Sequence, residues 1–261
     1  MHGGSARTAR RTGRETVARH APFVLSLLAG MALWEIAGRL SSPAFMVPLS
    51  ETVQRFFELV KEGDLVPEFL SSAALFVTGF VLAVVIGLPA GLLLARWRAL
   101  REALDVYIMI LYATPLVALI PFILSMMGFG FVPKVLVVFL FCVFPVLYNT
   151  VEGARSIKPE LIEVARSYRS SEWALWREVM VPYTLPFFMT GVRQAIGRGL
   201  VGMIAAEFFL SSTGLGQLIM SASQSFDTAG VFAAILLIGL IGVGLMRLGR
   251  MLETRFARWR N

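Results

Sequence analysis

Few residues in this chain of 261 could carry covalent or metal chemistry. The only lysines are Lys61, Lys134 and Lys158, and none follows a glycine. A phosphate-cradling loop needs Gly-Lys-Ser/Thr, so that backbone N–H groups and an ammonium can neutralise the phosphates together. The chain lacks one, so any ATP hydrolysis must belong to another polypeptide. Cys142 is the single cysteine, and His2 and His20 are the only histidines. They form neither an internal disulfide nor a zinc cluster. No nucleophile elbow is present. What remains is charge set into apolar sequence: Arg193, Arg198, Glu35 and Glu207. They form no catalytic constellation, and no cofactor or metal is expected in this chain.

The composition says what must position those charges. Hydrophobic residues make up 57% and charged residues 16%, against roughly 25% charged in a soluble domain. The mean hydropathy is +0.73. Lipid must be the main solvent. The net charge of +7 does not indicate nucleic acid, because the basic residues gather at the ends of apolar runs.

A spanning helix needs about 20 mostly apolar residues. Six runs qualify: Ala21–Leu40, Ser72–Ala95, Leu104–Met127, Val132–Val151, Pro186–Leu210 and Val231–Arg250. The fold class is therefore all-α, a polytopic membrane protein of about six transmembrane helices. Pro133 and Pro145 interrupt the fourth run, and Pro115 and Pro121 should kink the third beside Tyr112 and Thr114. The first run follows five arginines and is continued by Trp34, Glu35 and Arg39 without a small-residue cleavage site, so it reads as an uncleaved span. Most basic residues fall in the tail before span one, the loops after spans two and four, and the C-terminal end. Only Arg39, Arg55, Lys61 and Lys134 fall on the other side. The positive-inside rule then places both termini in the cytoplasm.

Two connections are structured. Before span two, Val53, Phe56, Phe57 and Val60 recur at helical spacing, with Ser50 as an N-cap and Gly63-Asp64 as the stop. This helix lies either along the outer membrane surface or as a lid on the protein. The loop between spans four and five runs about 35 residues. Pro159 can open a helix carrying Leu161, Val164, Ala165 and Tyr168. Ser170 or Ser171 can cap a second one carrying Trp173, Leu175, Trp176 and Val179. Their apolar faces suit either a protein partner or the lipid interface.

The stretch Glu163-Val164-Ala165-Arg166-Ser167-Tyr168-Arg169-Ser170-Ser171, followed by Val181-Pro182-Tyr183-Thr184-Leu185-Pro186, resembles the "EAA…G…LP" loop of binding-protein-dependent ABC importer permeases. Gly191 to Leu200, Ala206-Glu207-Phe208 and Gly214-Leu215-Gly216 are similar to the nitrate/sulfonate/taurine branch. So are Ala113-Thr114-Pro115-Leu116 and Pro145-Val146-Leu147-Tyr148-Asn149-Thr150. The likeness runs from about Pro43 to Arg247. It implies a type I permease core over 72–250 with a coupling loop at 152–185. Before the core come a basic cytoplasmic tail (1–20), the first span (21–40) and an outer loop (41–71), and a second basic tail (251–261) follows it. It further implies a bacterial inner-membrane location, a second permease copy, an ATP-binding ABC subunit that holds ATP and magnesium, and an extracytoplasmic solute-binding protein. The ATPase-coupling residues would be Glu160, Leu161, Glu163, Val164, Ala165, Tyr168, Arg169, Ser171 and Trp173, with Glu163 fixing the helix through charge-assisted hydrogen bonds. Val164 replaces the second motif alanine. Arg169 replaces the motif glycine, which costs roughly 1 kcal/mol or more if the turn is left-handed. The solute would be a small anion such as nitrate, a sulfonate or taurine, or alternatively a pyrimidine or flavin precursor. An ion-coupled secondary transporter is the rival class, but no inverted repeat is evident.

Span five carries the remaining signals. Gly191, Ala195 and Gly199 recur every four residues, with Gly202 and Ala206 on a nearby face. The stripe serves either packing within the subunit or packing beside a twofold axis and the translocation path. Arg198 lies about 18 Å into the span at 1.5 Å per residue. An arginine there costs at least ~2.5 kcal/mol unless it faces protein or water. It either bonds helix carbonyls or lines the path and attracts an anion. Tyr112, Thr114, Pro115, Arg198 and Glu207 are the pathway candidates.

Overall fold

The computed structural model describes residues 13–63, 65–210 and 212–257. The ends of both basic tails, residues 1–12 and 258–261, and Asp64 lie outside the described residues. All regular structure among the described residues is helical. In chain order it comprises α1 (Gly13–Leu40), α2 (Leu49–Glu62), α3 (Leu65–Arg96), α4 (Arg98–Ala113), a tight 3₁₀ turn (Leu116–Leu119) and α5 (Ile120–Met127). There follow α6 (Phe131–Arg155), α7 (Pro159–Ser167), α8 (Glu172–Leu175), a wide π turn (Trp176–Met180), α9 (Val181–Leu210), α10 (Leu215–Gln224) and α11 (Thr228–Ala257).

α3, α6 and α9 form the centre, with α6 between the other two. Lipid tails are as apolar as leucine, so helices in a membrane associate through close van der Waals contact. Small residues on both flanking helices permit it. On α9, a Cβ at Gly191 would sit 2.8 Å from the Pro145 carbonyl oxygen, one at Gly199 2.5 Å from Cys142 Sγ, and one at Gly202 2.6 Å from Phe141. Ala195 is fully buried and its carbonyl accepts from Cys142 Sγ at 3.4 Å. The α9 stripe thus packs within the subunit. α3 carries a matching stripe with the same four-residue spacing, Gly79, Ala83, Gly87 and Gly91, whose glycines meet Val138, Val146 and Thr150 of α6.

The prolines act differently from what their positions in the runs suggest. α6 is unbroken from Phe131 to Arg155. Pro133 lies in its first turn, where an N–H would have no partner anyway. Pro145 is held inside the helix by packing on both sides. The third run, Leu104–Met127, is not one straight span. Its two halves meet at 92° between Ala113 and Leu116. Thr114 is extended, the conformation a following proline imposes, and exposed α4 has no packing that would force it onward. Pro121 then falls in the first turn of α5. Pro182 and Pro186 do not interrupt the start of span five. The helix runs on from Glu172 to Leu210, and the π turn gives room for the Pro182 ring to pass the carbonyl four residues back.

At the α2 end, Ser50 is not the N-cap. α2 starts at Leu49 after Pro48, and Ser50 instead donates its backbone N–H and its hydroxyl to Glu35 of α1, both at 2.9 Å. Leu59 is buried with Leu65, Leu215 and Ala233, and Arg55 Nε donates to Asp227 Oδ2 at 2.9 Å. α2 is therefore a lid on the protein. Gly63, at φ 87°, ends it.

Under that lid, Glu207 ties three helices. Ser72 Oγ of α3 donates to one of its oxygens at 2.6 Å and the Gly216 N–H to the other at 2.8 Å. The Leu215 N–H donates to Ser72 Oγ at 2.8 Å, and the Gly214 N–H to the Glu68 carboxylate. Carboxylates thus meet the free N–H groups at the start of α10. Gly214, at φ 105°, has no room for a side chain beside Glu207. Truncating Glu207 leaves buried donors unpaired, each at about 1–3 kcal/mol. We predict that Glu207→Ala lowers the melting temperature of the purified protein clearly and Glu207→Gln lowers it less. Equal melting of wild type and Glu207→Ala would show that this junction does not hold the α10 end together.

Candidate functional site

Two places gather the residues that the sequence singles out. The first is the loop at the α7 end. Pro159 is the first residue of α7 and Glu160 lies in its first turn. The helix ends in a Schellman turn. Arg169 N–H bonds the Arg166 carbonyl at 2.9 Å and Ser170 N–H bonds the Ala165 carbonyl at 3.1 Å. This turn needs one left-handed residue, usually glycine, and Arg169 takes that place at φ 53°. Ser171 then caps α8, its Oγ accepting from the Ala174 N–H at 3.2 Å.

The reversal lays α7 across the start of α9. Between them is a groove of about 500 Å³, lined on one wall by Leu161, Val164, Ala165 and Tyr168, and on the other by Leu175, Val179, Pro182 and Tyr183 among others. Tyr183 OH donates to the Ser156 carbonyl at 3.1 Å and holds the second wall to the end of α6. Tyr168 and Trp173 are 83% and 75% exposed, far more than side chains needed for internal packing. Leu161 and Val164 are exposed as well. The Glu163 side chain is exposed and has no partner among the described residues, while its backbone carbonyl accepts from Ser167 Oγ at 2.9 Å. It does not fix the helix within this chain. Arg96, at the end of α3, reaches Glu172 at 2.7 Å and so joins the loop to a spanning helix.

The second place is the α4–α5 break. Irregular backbone at membrane depth is tolerated only where protein buries it or a water-filled cavity meets it. Tyr112 lies in the last turn before the break. Arg198 Nη2 of α9 donates to its hydroxyl at 2.8 Å, and the guanidinium carbon is 4.5 Å from its ring centroid. The partner of Arg198 is thus a phenol ring, not a helix carbonyl. Tyr112 stacks on Tyr148 of α6, with centroids 5.6 Å apart and planes 20° from parallel. Asn149, next along α6, donates to Gln194 Oε1 at 3.3 Å and to the Pro145 carbonyl at 2.8 Å. Gln194 and Arg198, four apart on α9, share a face and both are exposed in the single chain. Thr114 donates its hydroxyl to the Ile110 carbonyl at 2.8 Å, and Pro115 is exposed at the corner.

Of the pathway candidates, Tyr112, Thr114, Pro115 and Arg198 come together here. Glu207 does not. It is 1% exposed and committed to the α10 junction. The sequence reading passed over Tyr148, Asn149 and Gln194 as site residues. The available signal was a polar pair near the end of the fourth apolar run and an amide four residues before Arg198. Among the described residues no group of His, Cys, Asp and Glu could hold a metal ion.

Comparison with known proteins follows the same lines. Residues 83–258 match the family "Binding-protein-dependent transport system inner membrane component". The chain is 32% identical over 233 residues to the "Putative aliphatic sulfonates transport permease protein SsuC" of Bacillus subtilis, covering 88% of this chain and 84% of that one. It is 37% identical over 240 residues to the "Riboflavin transport system permease protein RibX" of Chloroflexus aurantiacus, covering 91% and 89%. Among solved structures, a chain of the MetNI methionine ABC transporter in an inward-facing conformation superposes with a TM-score of 0.64 at 18% identity, over 74% of this chain and 95% of that one. A fold of apolar helices, a structured loop with an exposed apolar face and a family match over most of the chain agree. The chain belongs to the inner-membrane components of binding-protein-dependent transport systems, as the multi-pass permease of an ABC importer and not as its ATPase.

Proposed function

We propose that this chain is the permease half of an importer for a small organic anion, used as two copies, with the α7 loop as the seat of the ATPase. The observation that carries the reading is the loop. Its helix presents Leu161, Val164, Tyr168 and Trp173 outward, and Glu163 has no side-chain partner within the described chain. Exposed aromatic anchors beside an unpaired charge suit a protein interface. Glu160, Ala165, Arg169 and Ser171 shape that surface through the first turn, the groove wall, the reversal and the second cap. The excess of arginine at the α7 end supports a cytoplasmic position for this end and for both termini. ATP and magnesium are held by the partner ATPase, and a solute-binding protein delivers from the α2 side.

The rigid seat explains how movement reaches the membrane. α8, the π turn and α9 are one continuous helix, so displacement of the loop is displacement of α9. The Arg96–Glu172 pair brings α3 along. For the solute, Arg198 favours an anion, in keeping with the relatives named for aliphatic sulfonates. A second reading, a flat neutral ring, is favoured by the stacked Tyr112–Tyr148 pair and by the relatives named for riboflavin and formylaminopyrimidine.

Two outcomes test the loop. Tyr168→Ala and Glu163→Ala should insert and fold normally, yet lower recovery of the ATPase with the permease or uncouple ATP hydrolysis from uptake in vesicles. Full transport with normal complex recovery in both variants would place the ATPase seat elsewhere. Arg169→Gly should stabilise the loop by about 1 kcal/mol, because glycine removes the Cβ cost of the left-handed turn. Protease resistance of the loop in the isolated permease is the measurement, and faster cleavage of Arg169→Gly would mean that the guanidinium makes a stabilising contact.

A further inference from the structure

We infer that Arg198, Gln194 and Tyr148, backed by Tyr112 and Asn149, form a solute-binding subsite within the permease itself, selective for a small organic oxyanion such as a sulfonate or carboxylate. The inference deepens the anion reading above and rests on it.

Three observations converge. First, the polar groups are open in the single chain although they lie on membrane-spanning helices. Arg198 and Gln194 are exposed and Tyr148 is 49% exposed. Lipid cannot cover a guanidinium and a carboxamide at this depth without a large cost. Second, the surroundings hold the groups but do not neutralise them. Among the described residues, Tyr112 is the side chain that Arg198 engages, and it offers a hydroxyl and a ring face, not a carboxylate. The positive charge is kept. Gln194 has its Oε1 held by Asn149, which leaves its Nε2 as a donor on the same face as the guanidinium. Third, the helix breaks by 92° immediately beyond Tyr112; irregular backbone at membrane depth is tolerated where protein buries it or water reaches it, and Ala113 and Pro115 at this break are exposed.

The chemistry of the occupant follows from these donors. A planar guanidinium fork and an amide N–H₂ are all donors, so they take an acceptor-only group with several oxygens. A sulfonate or carboxylate head meets that description. A short apolar body can then lie on the exposed part of the Tyr148 ring. Tyr112 and Asn149 act as positioning residues. Tyr112 holds the guanidinium and supports Tyr148 by stacking, and Asn149 orients the Gln194 amide.

The test separates this subsite from the solute-binding protein by leaving that protein out. Ethanesulfonate binding to the purified permease–ATPase complex is measured by calorimetry, beside ethyl methyl sulfone as a neutral isostere. The wild-type complex should bind ethanesulfonate saturably and the sulfone at least tenfold more weakly. Arg198→Gln and Gln194→Leu should each weaken ethanesulfonate at least tenfold with unchanged melting, and Arg198→Lys should fall between Arg198→Gln and wild type. If Arg198→Gln is not recovered as a folded complex, Gln194→Leu decides in the same way. Binding within twofold of wild type in a stable variant, equal binding of the sulfone, or no binding by the wild type overturns the subsite. So does recovery of both variants as single permease copies, which would make the Gln194–Arg198 face a contact between subunits. Uptake of solute by vesicles containing the complex, with ATP and its solute-binding protein, keeps the two levels apart. A complex that imports ethanesulfonate but fails the binding test refutes the subsite alone, and one that never imports it refutes the anion reading.

Discussion

Close contact between helix backbones at α6 is the constraint on which the rest of the protein depends. In lipid there is no hydrophobic gain from pairing two apolar helices, so contact must be near enough for dispersion to count. α3 and α9 achieve it with small residues every fourth position, and the ridges of α6 fill the space, with Val138, Cys142 and Val146 fully buried. Neither stripe tolerates an added Cβ without a shift of a neighbour. The rotation of each helix is thereby set, and with it the face that each turns away from the centre.

What faces away is where the proposed pathway residues sit. Once Gly191, Ala195 and Gly199 face α6, Gln194 and Arg198, one residue off that stripe, fall at the edge of the contact, where Gln194 still meets Asn149 of α6. Arg198 finds Tyr112 only because α4 ends where it does. The break at Thr114–Pro115 lets α5 fold back so that Ile120 and Ile123 are buried against α6 and α9. A straight third span would carry those isoleucines onward instead. Packing and the broken helix are therefore two sides of one arrangement.

At the opposite ends of α3 and α9 the connections are stiff, and this bears on coupling. Glu207, Ser72 and Glu68 bind the start of α10 under the α2 lid. At the α7 end, the Schellman turn and the Ser171 cap make a compact reversal whose second limb continues without interruption into α9. The loop is thus not a flexible tether. The second limb of that reversal belongs to the same continuous helix as Arg198.

Much of the frame was legible in the sequence because it depends on local properties. Hydropathy and length marked the apolar runs, the missing Gly-Lys-Ser/Thr assigned ATP hydrolysis to another chain, and Pro159 and Ser171 marked the two loop helices. These follow from how a residue meets its own near neighbours and its solvent. The stripe of Gly79, Ala83, Gly87 and Gly91 was equally local and was passed over. Other features depend on partners that sequence separation conceals. Pro145 is carried through a helix and Pro115 breaks one, because packing surrounds the first and is absent at the second. Ser50 serves Glu35 fifteen residues away instead of capping its own helix. Glu207, which looked like a pathway acid, turns inward to the Ser72 hydroxyl and the Gly216 N–H. The Arg198–Tyr112–Tyr148 stack joins three helices. The sequence by itself determined which segments are apolar enough to cross a membrane and which charges had to be satisfied. Only the tertiary structure decided by what, since the depth and rotation of each helix are set jointly by all the helices it touches.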